Sequence, residues 1–121
     1  MSWVFSNDKP IFQQLIDKIS IDIISEKYKP GERIDAVREL SVDAGVNPNT
    51  MQRALTLIEE SGLIYTKRGD GKFVTEDINV ISDMREKIIR ENVCKFISSM
   101  YSLGVENTEM LKILERELNG G

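Results

Sequence analysis

Apolar residues recur at spacings of three and four along Phe12, Leu15, Ile16, Ile19 and Ile23, the period of a helix that buries one face. Pro10, two residues after Asp8, suits the first turn of that helix, where a missing N–H would lack an intrahelical partner in any case. The pattern predicts about four turns that stop by Tyr28-Lys29-Pro30-Gly31, which holds a breaker pair. A second, shorter helix starts from Asp35 as N-cap, carries Ala36, Val37, Leu40 and Ala44, and closes at Gly45, a residue suited to the left-handed turn that ends a helix. Asn47-Pro48 announces a third, with Asn as N-cap and Pro in the first helical position. Met51, Ala54, Leu55 and Ile58 form its buried stripe, and Ser61-Gly62 ends it.

Two β-rich runs follow, Leu63 to Lys67 and Lys72 to Thr75, separated by Arg68-Gly69-Asp70-Gly71. A Gly-Asp-Gly tip between such runs predicts a hairpin, because a tight turn needs residues that accept positive φ. After Glu76-Asp77 the pattern changes to one long helix, about Val80 to Leu103, with Ile81, Met84, Ile88, Ile89, Val93, Phe96, Ile97 and Met100 on its apolar side. Gly104 ends it, and Asn107 caps a last helix bearing Met110, Leu111, Leu114 and Leu118. The fold expected is mainly α with a small β-hairpin wing. It divides into an N-terminal winged helix-turn-helix over residues 1–77 and a two-helix tail over 78–121.

Composition narrows the chemistry. The 121 residues suffice for one compact domain or a small domain with an appendage. Histidine is absent, which removes the usual general base and the commonest metal ligand, and a single cysteine allows neither a thiol-rich metal site nor an internal disulfide. Adjacent helical residues point about 100° apart, so even Glu59 and Glu60 do not converge as a carboxylate pair. No catalytic residue, cofactor or metal is therefore expected. No apolar run approaches the roughly 18 residues of a membrane span, and Met1-Ser2-Trp3-Val4-Phe5 is too short and uncharged for a signal peptide. A cytoplasmic protein is expected, with Trp3 and Phe5 as packing anchors of an N-terminal arm. Cys94 is expected to be a buried, inert thiol.

The net charge of -4 by itself argues against a nucleic-acid partner. Its distribution weakens that objection. Residues 46–75 carry Arg53, Lys67, Arg68 and Lys72 against Glu59, Glu60 and Asp70, a local +1, and three of the four cations cluster on the hairpin. On the third helix, Asn49, Gln52, Arg53 and Thr56 fall opposite the stripe centred on Met51, and that outward set contains no acid. Asn and Gln can pair with the adenine edge, Arg with guanine, and Thr with a phosphate or a thymine methyl, so the face suits a major groove. A solvated helix face would show the same composition, and an ordinary hairpin guards its edge with charges, so both bland readings stay open here.

The ordered runs Pro10-Ile11-Phe12-Gln13-Gln14-Leu15, Lys29-Pro30-Gly31-Glu32-Arg33-Ile34, Val37-Arg38-Glu39-Leu40, Gly45 to Leu55 and Gly62-Leu63-Ile64-Tyr65 through Val74 resemble the winged-helix domain of the GntR family of bacterial transcription regulators. The similarity covers about residues 8 to 76, and the short tail resembles the small YtrA-type subfamily. The resemblance implies a homodimer that binds an inverted-repeat DNA operator, usually as a repressor, with the tail helices as the dimer interface. It places Arg38 against the DNA, puts Asn47, Asn49, Thr50, Gln52 and Arg53 on the turn and recognition helix, and puts Arg68 and Gly69 on the wing. As a DNA-binding protein the chain is expected to use the wing cation Lys67 as a phosphate contact as well. One departure stands out. Family members usually carry a Leu-Pro-Ser type sequence before the second helix, whereas this chain has Ile34-Asp35-Ala36, and a carboxylate at 35 would repel a nearby phosphate.

The long helix spans about 35 Å, more apolar surface than one winged domain and a three-turn helix can cover. Ile81, Met84, Ile88, Val93, Ile97, Met100, Leu111 and Leu114 are the residues expected at a seam with a second subunit. Folding back on the first helix as a monomer is the other arrangement. No dedicated small-molecule effector is expected, though a site between the tails stays open. A winged-helix protein-interaction module without DNA binding is the alternative function.

Overall fold

The structure, a computed structural model, describes residues 3–120. Five helices and one hairpin follow in the order α1 (Ile11–Ile24), α2 (Val37–Ala44), α3 (Pro48–Glu60), β1 (Ile64–Lys67), β2 (Gly71–Val74), α4 (Ile78–Ser102) and α5 (Asn107–Leu118). The chain divides into two compact units, Met1–Met84 and Arg85–Gly121.

In the N-terminal unit the apolar stripes meet in one core. Leu15, Ile19 and Ile23 from α1, Leu40 and Ala44 from α2, and Met51, Ala54, Leu55 and Ile58 from α3 are all buried, and Leu63, Ile64 and Val74 close the core from the hairpin side. Trp3 and Phe5 pack against it as anchors of the arm, while Met1 and Ser2 lie outside the described residues. Gln14 ties the arm to α1: its Nε2 donates to the carbonyls of Ser6 (2.9 Å) and Lys9 (2.7 Å), and its Oε1 accepts from the Ser6 amide (2.9 Å).

Some helix ends differ from expectation in ways local chemistry explains. Helix α1 has the four turns expected and stops at Ile24, where Glu26 takes φ 65° and the amides of Lys27 and Tyr28 both turn back to the Asp22 carbonyl (2.8 and 3.1 Å). The N-cap of α2 is Ala36, not Asp35, and it makes no side-chain capping bond. The Asp35 carboxylate instead accepts from the Tyr28 hydroxyl at 3.3 Å. Helix α3 starts as expected, with Asn47 Oδ1 accepting from the Asn49 amide at 2.7 Å and Pro48 in the first turn. Gly45 takes φ 71°, a conformation that costs a Cβ-bearing residue about 1 kcal/mol, and so makes the sharp turn between α2 and α3.

The hairpin pairs Ile64 with Val74, Tyr65 with Phe73, Thr66 with Lys72 and Lys67 with Gly71. Its base is buried, and its next pair stacks two rings 5.8 Å apart. A third segment joins it from between α1 and α2. The Gly31 amide donates to the Val74 carbonyl (3.0 Å), Val74 N–H to Glu32 O (2.9 Å) and Ile34 N–H to Lys72 O (2.9 Å), with Arg33 bridged to Phe73.

The two compact units divide inside α4, between Met84 and Arg85. Val80, Ile81 and Met84 are half-buried against the N-terminal core, so the first turns of α4 complete that core. Ile81 and Met84, grouped by sequence with the seam residues, thus already have partners in their own chain. In the C-terminal unit, α4 contains no buried residue and α5 buries Met110. Cys94 is exposed, which corrects the expectation of a buried thiol. The N-cap of α5 is Glu106 rather than Asn107, whose side-chain oxygen accepts from the Tyr101 hydroxyl at 2.6 Å.

Candidate nucleic-acid interface

Helix α3 presents Asn49, Gln52, Arg53 and Thr56 outward, all four exposed, directly opposite the buried Met51, Ala54, Leu55 and Ile58. The capping bond of Asn47 ties its side-chain oxygen to the helix start and leaves the amide NH2 as donor. Thr50 is half-buried, and Arg38 on α2 is exposed. Thr56 donates its hydroxyl to the Gln52 carbonyl (2.9 Å), and Gln52 Nε2 reaches back to Thr56 Oγ1 at 3.4 Å, a contact that biases the Gln52 rotamer.

Arg53 does not project freely. Its guanidinium carbon lies 4.6 Å from the centre of the Phe12 ring on α1, and the two residues share a shallow pocket with Gln52, Thr56, Leu57 and Glu60. Such a stack holds a flexible cation in one region of space at a cost of about 0.5–1 kcal/mol to leave it. Sequence periodicity places Arg53 on the outward face; only the packing of α1 beside α3 reveals its ring partner.

The wing carries Lys67, Arg68 and Gly69, all exposed, and Lys67 Nζ lies 5.5 Å from the Phe73 ring. Lys72, counted among the hairpin cations from sequence, has another use. Its Nζ lies 2.9 Å from Glu59 Oε1 and 2.8 Å from Thr66 Oγ1, while the Thr66 hydroxyl donates to the same Glu59 oxygen at 2.9 Å. This cluster fastens the wing to the C-terminal end of α3. Lys72, beside it, holds the Glu59 carboxyl below its ordinary value, with Thr66 adding to the effect. Because the folded-state value is depressed, the contribution is present above the unfolded value of 4.5 and is lost as pH falls through the folded one. Thermal melts between about pH 6 and pH 3 are expected to show Glu59→Gln losing less stability on acidification than wild type, by about 0.5 kcal/mol after solvent screening. Identical pH slopes in the two proteins would count against the cluster.

Asp35, the departure before α2, is engaged by Tyr28. Burial, and secondarily the Asp35 carboxylate, push the Tyr28 hydroxyl up to about 12, so it stays a donor to that carboxylate. Arg33 went unrecognised in the sequence. Its Nε donates to the Asp70 carbonyl at 2.8 Å, across a separation of 37 residues that no local pattern signals. Among the described residues no group of three or more His, Cys, Asp or Glu could hold a metal, and no helix is long and apolar enough to cross a membrane.

Comparison with known proteins agrees with this geometry. Residues 11–74 match the family model described as bacterial regulatory proteins, gntR family. The chain is 33% identical to the uncharacterized HTH-type transcriptional regulator YhcF of Bacillus subtilis over 97% of both chains, and 29% identical to the HTH-type transcriptional repressor YtrA of the same organism over 93% of this chain and 89% of that one. A GntR family transcriptional regulator from Listeria monocytogenes superposes with a TM-score of 0.86 at 36% identity, covering 93% of this chain and 98% of the other. The DNA-binding domain of AraR, solved in complex with operator ORX1, superposes at a TM-score of 0.55 and 26% identity over 62% of this chain and 95% of that one.

Proposed function

The chain belongs to the GntR family of bacterial regulatory proteins, is YtrA-like and is a transcriptional regulator with a DNA-binding domain, and from that premise we propose a cytoplasmic, homodimeric repressor of an inverted-repeat operator. The observation that carries the reading is the outward set Asn49, Gln52, Arg53 and Thr56 on α3, with Glu60 as an acid only in the helix's last turn, beside a wing that exposes Lys67 and Arg68 against Asp70. The AraR domain, solved on operator DNA, supports it as a relative of the same architecture. In this reading α3 enters the major groove, where Asn49, Gln52 and Arg53 meet base edges. Arg38, Asn47, Thr50, Lys67 and Arg68 contact phosphates, and Gly69 brings the wing backbone close to the minor groove. Residues 1–77, completed by the first turns of α4, bind DNA. Residues 85–121 form the subunit seam through Ile88, Val93, Ile97, Met100, Leu111 and Leu114.

A two-fold seam accounts for the nearly coreless C-terminal unit, since isolated helices are marginal in water and these have little else to bury against. Selection of bound duplexes from a random pool is expected to return an inverted repeat whose half-sites lie a helical turn or a multiple apart. Gln52→Ala or Arg53→Ala is then expected to relax base preference at one position per half-site by about 1–3 kcal/mol, whereas Lys67→Ala weakens all duplexes alike. Retention of no duplex by a monomeric protein would overturn the proposal and favour a protein-interaction module.

A further inference from the structure

We propose that Arg33, which lies outside both the helix-turn-helix and the hairpin, is the third cation of the wing and contacts a DNA phosphate there, the place that Lys72 holds in a reading of the hairpin alone. The inference rests on the DNA-binding reading above and adds a residue to it.

Lys72, the remaining cation of the hairpin, is engaged by its own partners. Its charge is matched by Glu59 at 2.9 Å, its remaining donor capacity is drawn on by Thr66, and its side chain is only 17% exposed. A phosphate contact would have to break that pair, and so would gain little net affinity. Arg33 presents the opposite case. Its backbone is bridged to Phe73 while its neighbours Glu32 and Ile34 bond to Val74 and Lys72, so residue 33 moves with the hairpin as a third strand. Its Nε is anchored on the Asp70 carbonyl at the wing tip, and the residue is exposed. Among the described residues its side chain bonds that carbonyl and no carboxylate, so its full charge remains at the tip.

Gly71 leaves room for this side chain. A Cβ at position 71 would stand 3.0 Å from Arg33 Nε and 3.3 Å from its Nη2, tighter than most such contacts, and φ at that residue is 111°. The guanidinium therefore occupies the space a side chain at 71 would take. With Nε committed, the two terminal nitrogens keep four N–H donors, a planar fork matched to phosphate oxygens. One bond already made also reduces the entropy lost when the fork binds. The cations at the wing tip are then Lys67, Arg68 and Arg33, two on the hairpin and one delivered from between α1 and α2.

The test is the salt dependence of binding to the selected operator and to a scrambled duplex, for wild type, Arg33→Gln, Arg33→Lys and Lys72→Gln. Each lost phosphate contact makes the slope of log K against log salt shallower by about 0.9, so Arg33→Gln is expected to lower it by about 1.8 for a dimer. It should weaken operator and scrambled duplex by the same factor. Arg33→Lys keeps the charge and is expected to retain the wild-type slope while losing some affinity with the Nε anchor. Lys72→Gln is expected to leave the slope unchanged. An Arg33→Gln protein with the wild-type slope, even if weaker through a disturbed wing, would overturn the inference, as would a Lys72→Gln protein with the larger slope change. Failure of wild type to retain any duplex is a separate outcome, which overturns the DNA reading and this inference with it.

Discussion

The substitution Val93→Glu is expected to turn the protein into a monomer that has lost its operator. Val93 is already 48% exposed within its own chain, so the substitution removes little packing there. In a two-fold seam it enters twice, placing two carboxylates in an apolar contact where neither has a partner. Operator affinity then falls by about a hundredfold or more, because the second half-site is no longer held at the high effective concentration that linkage provides. Sedimentation and an operator titration, run together, check both halves. A dimer that survives the substitution would exclude Val93 from the seam, and a monomer with wild-type affinity would separate dimerisation from binding. Leu111→Glu, at a position 67% exposed, repeats the test from α5.

Leu55→Ala is expected to cost about 2–5 kcal/mol, a large part of the roughly 5–15 kcal/mol typical of a small protein. Leu55 is completely buried on the inner side of α3, where the core residues of α1, α2 and the hairpin gather. Truncation leaves a cavity that short, cross-braced helices cannot close. The thermal midpoint is expected to drop by about 10 °C or more, followed by circular dichroism. Leu57→Ala on the same helix, at 44% exposure, is the control and should change it little. Equal losses in the two variants would contradict the assignment of the inner face.

The functional surface was legible to different depths. The outward set on α3 follows from a step of about 100° per residue, and Asn47 and Gly45 announce their roles by residue type at the start of one helix and the end of another. Asp35 misled, because a good capping residue one position early offers the same local signal as the cap itself, and the competing hydroxyl of Tyr28 arrives from the preceding loop. Lys72 and Arg33 show a related limit. Charge counted along a hairpin cannot show which cations are already paired, nor which arrive from outside it.

The sequence by itself determined the elements, the buried stripes and the face turned outward, since these depend on local periodicity, caps and turn residues. Membership of a winged-helix regulator family followed from the same ordered runs. Tertiary structure alone decided that Arg53 rests on Phe12, that Glu59 holds Lys72, that Arg33 crowns the wing and that the first turns of α4 belong to the N-terminal core. Each of these is a contact between segments separated in the chain, where position follows from how helices and strands pack and not from the residues on either side.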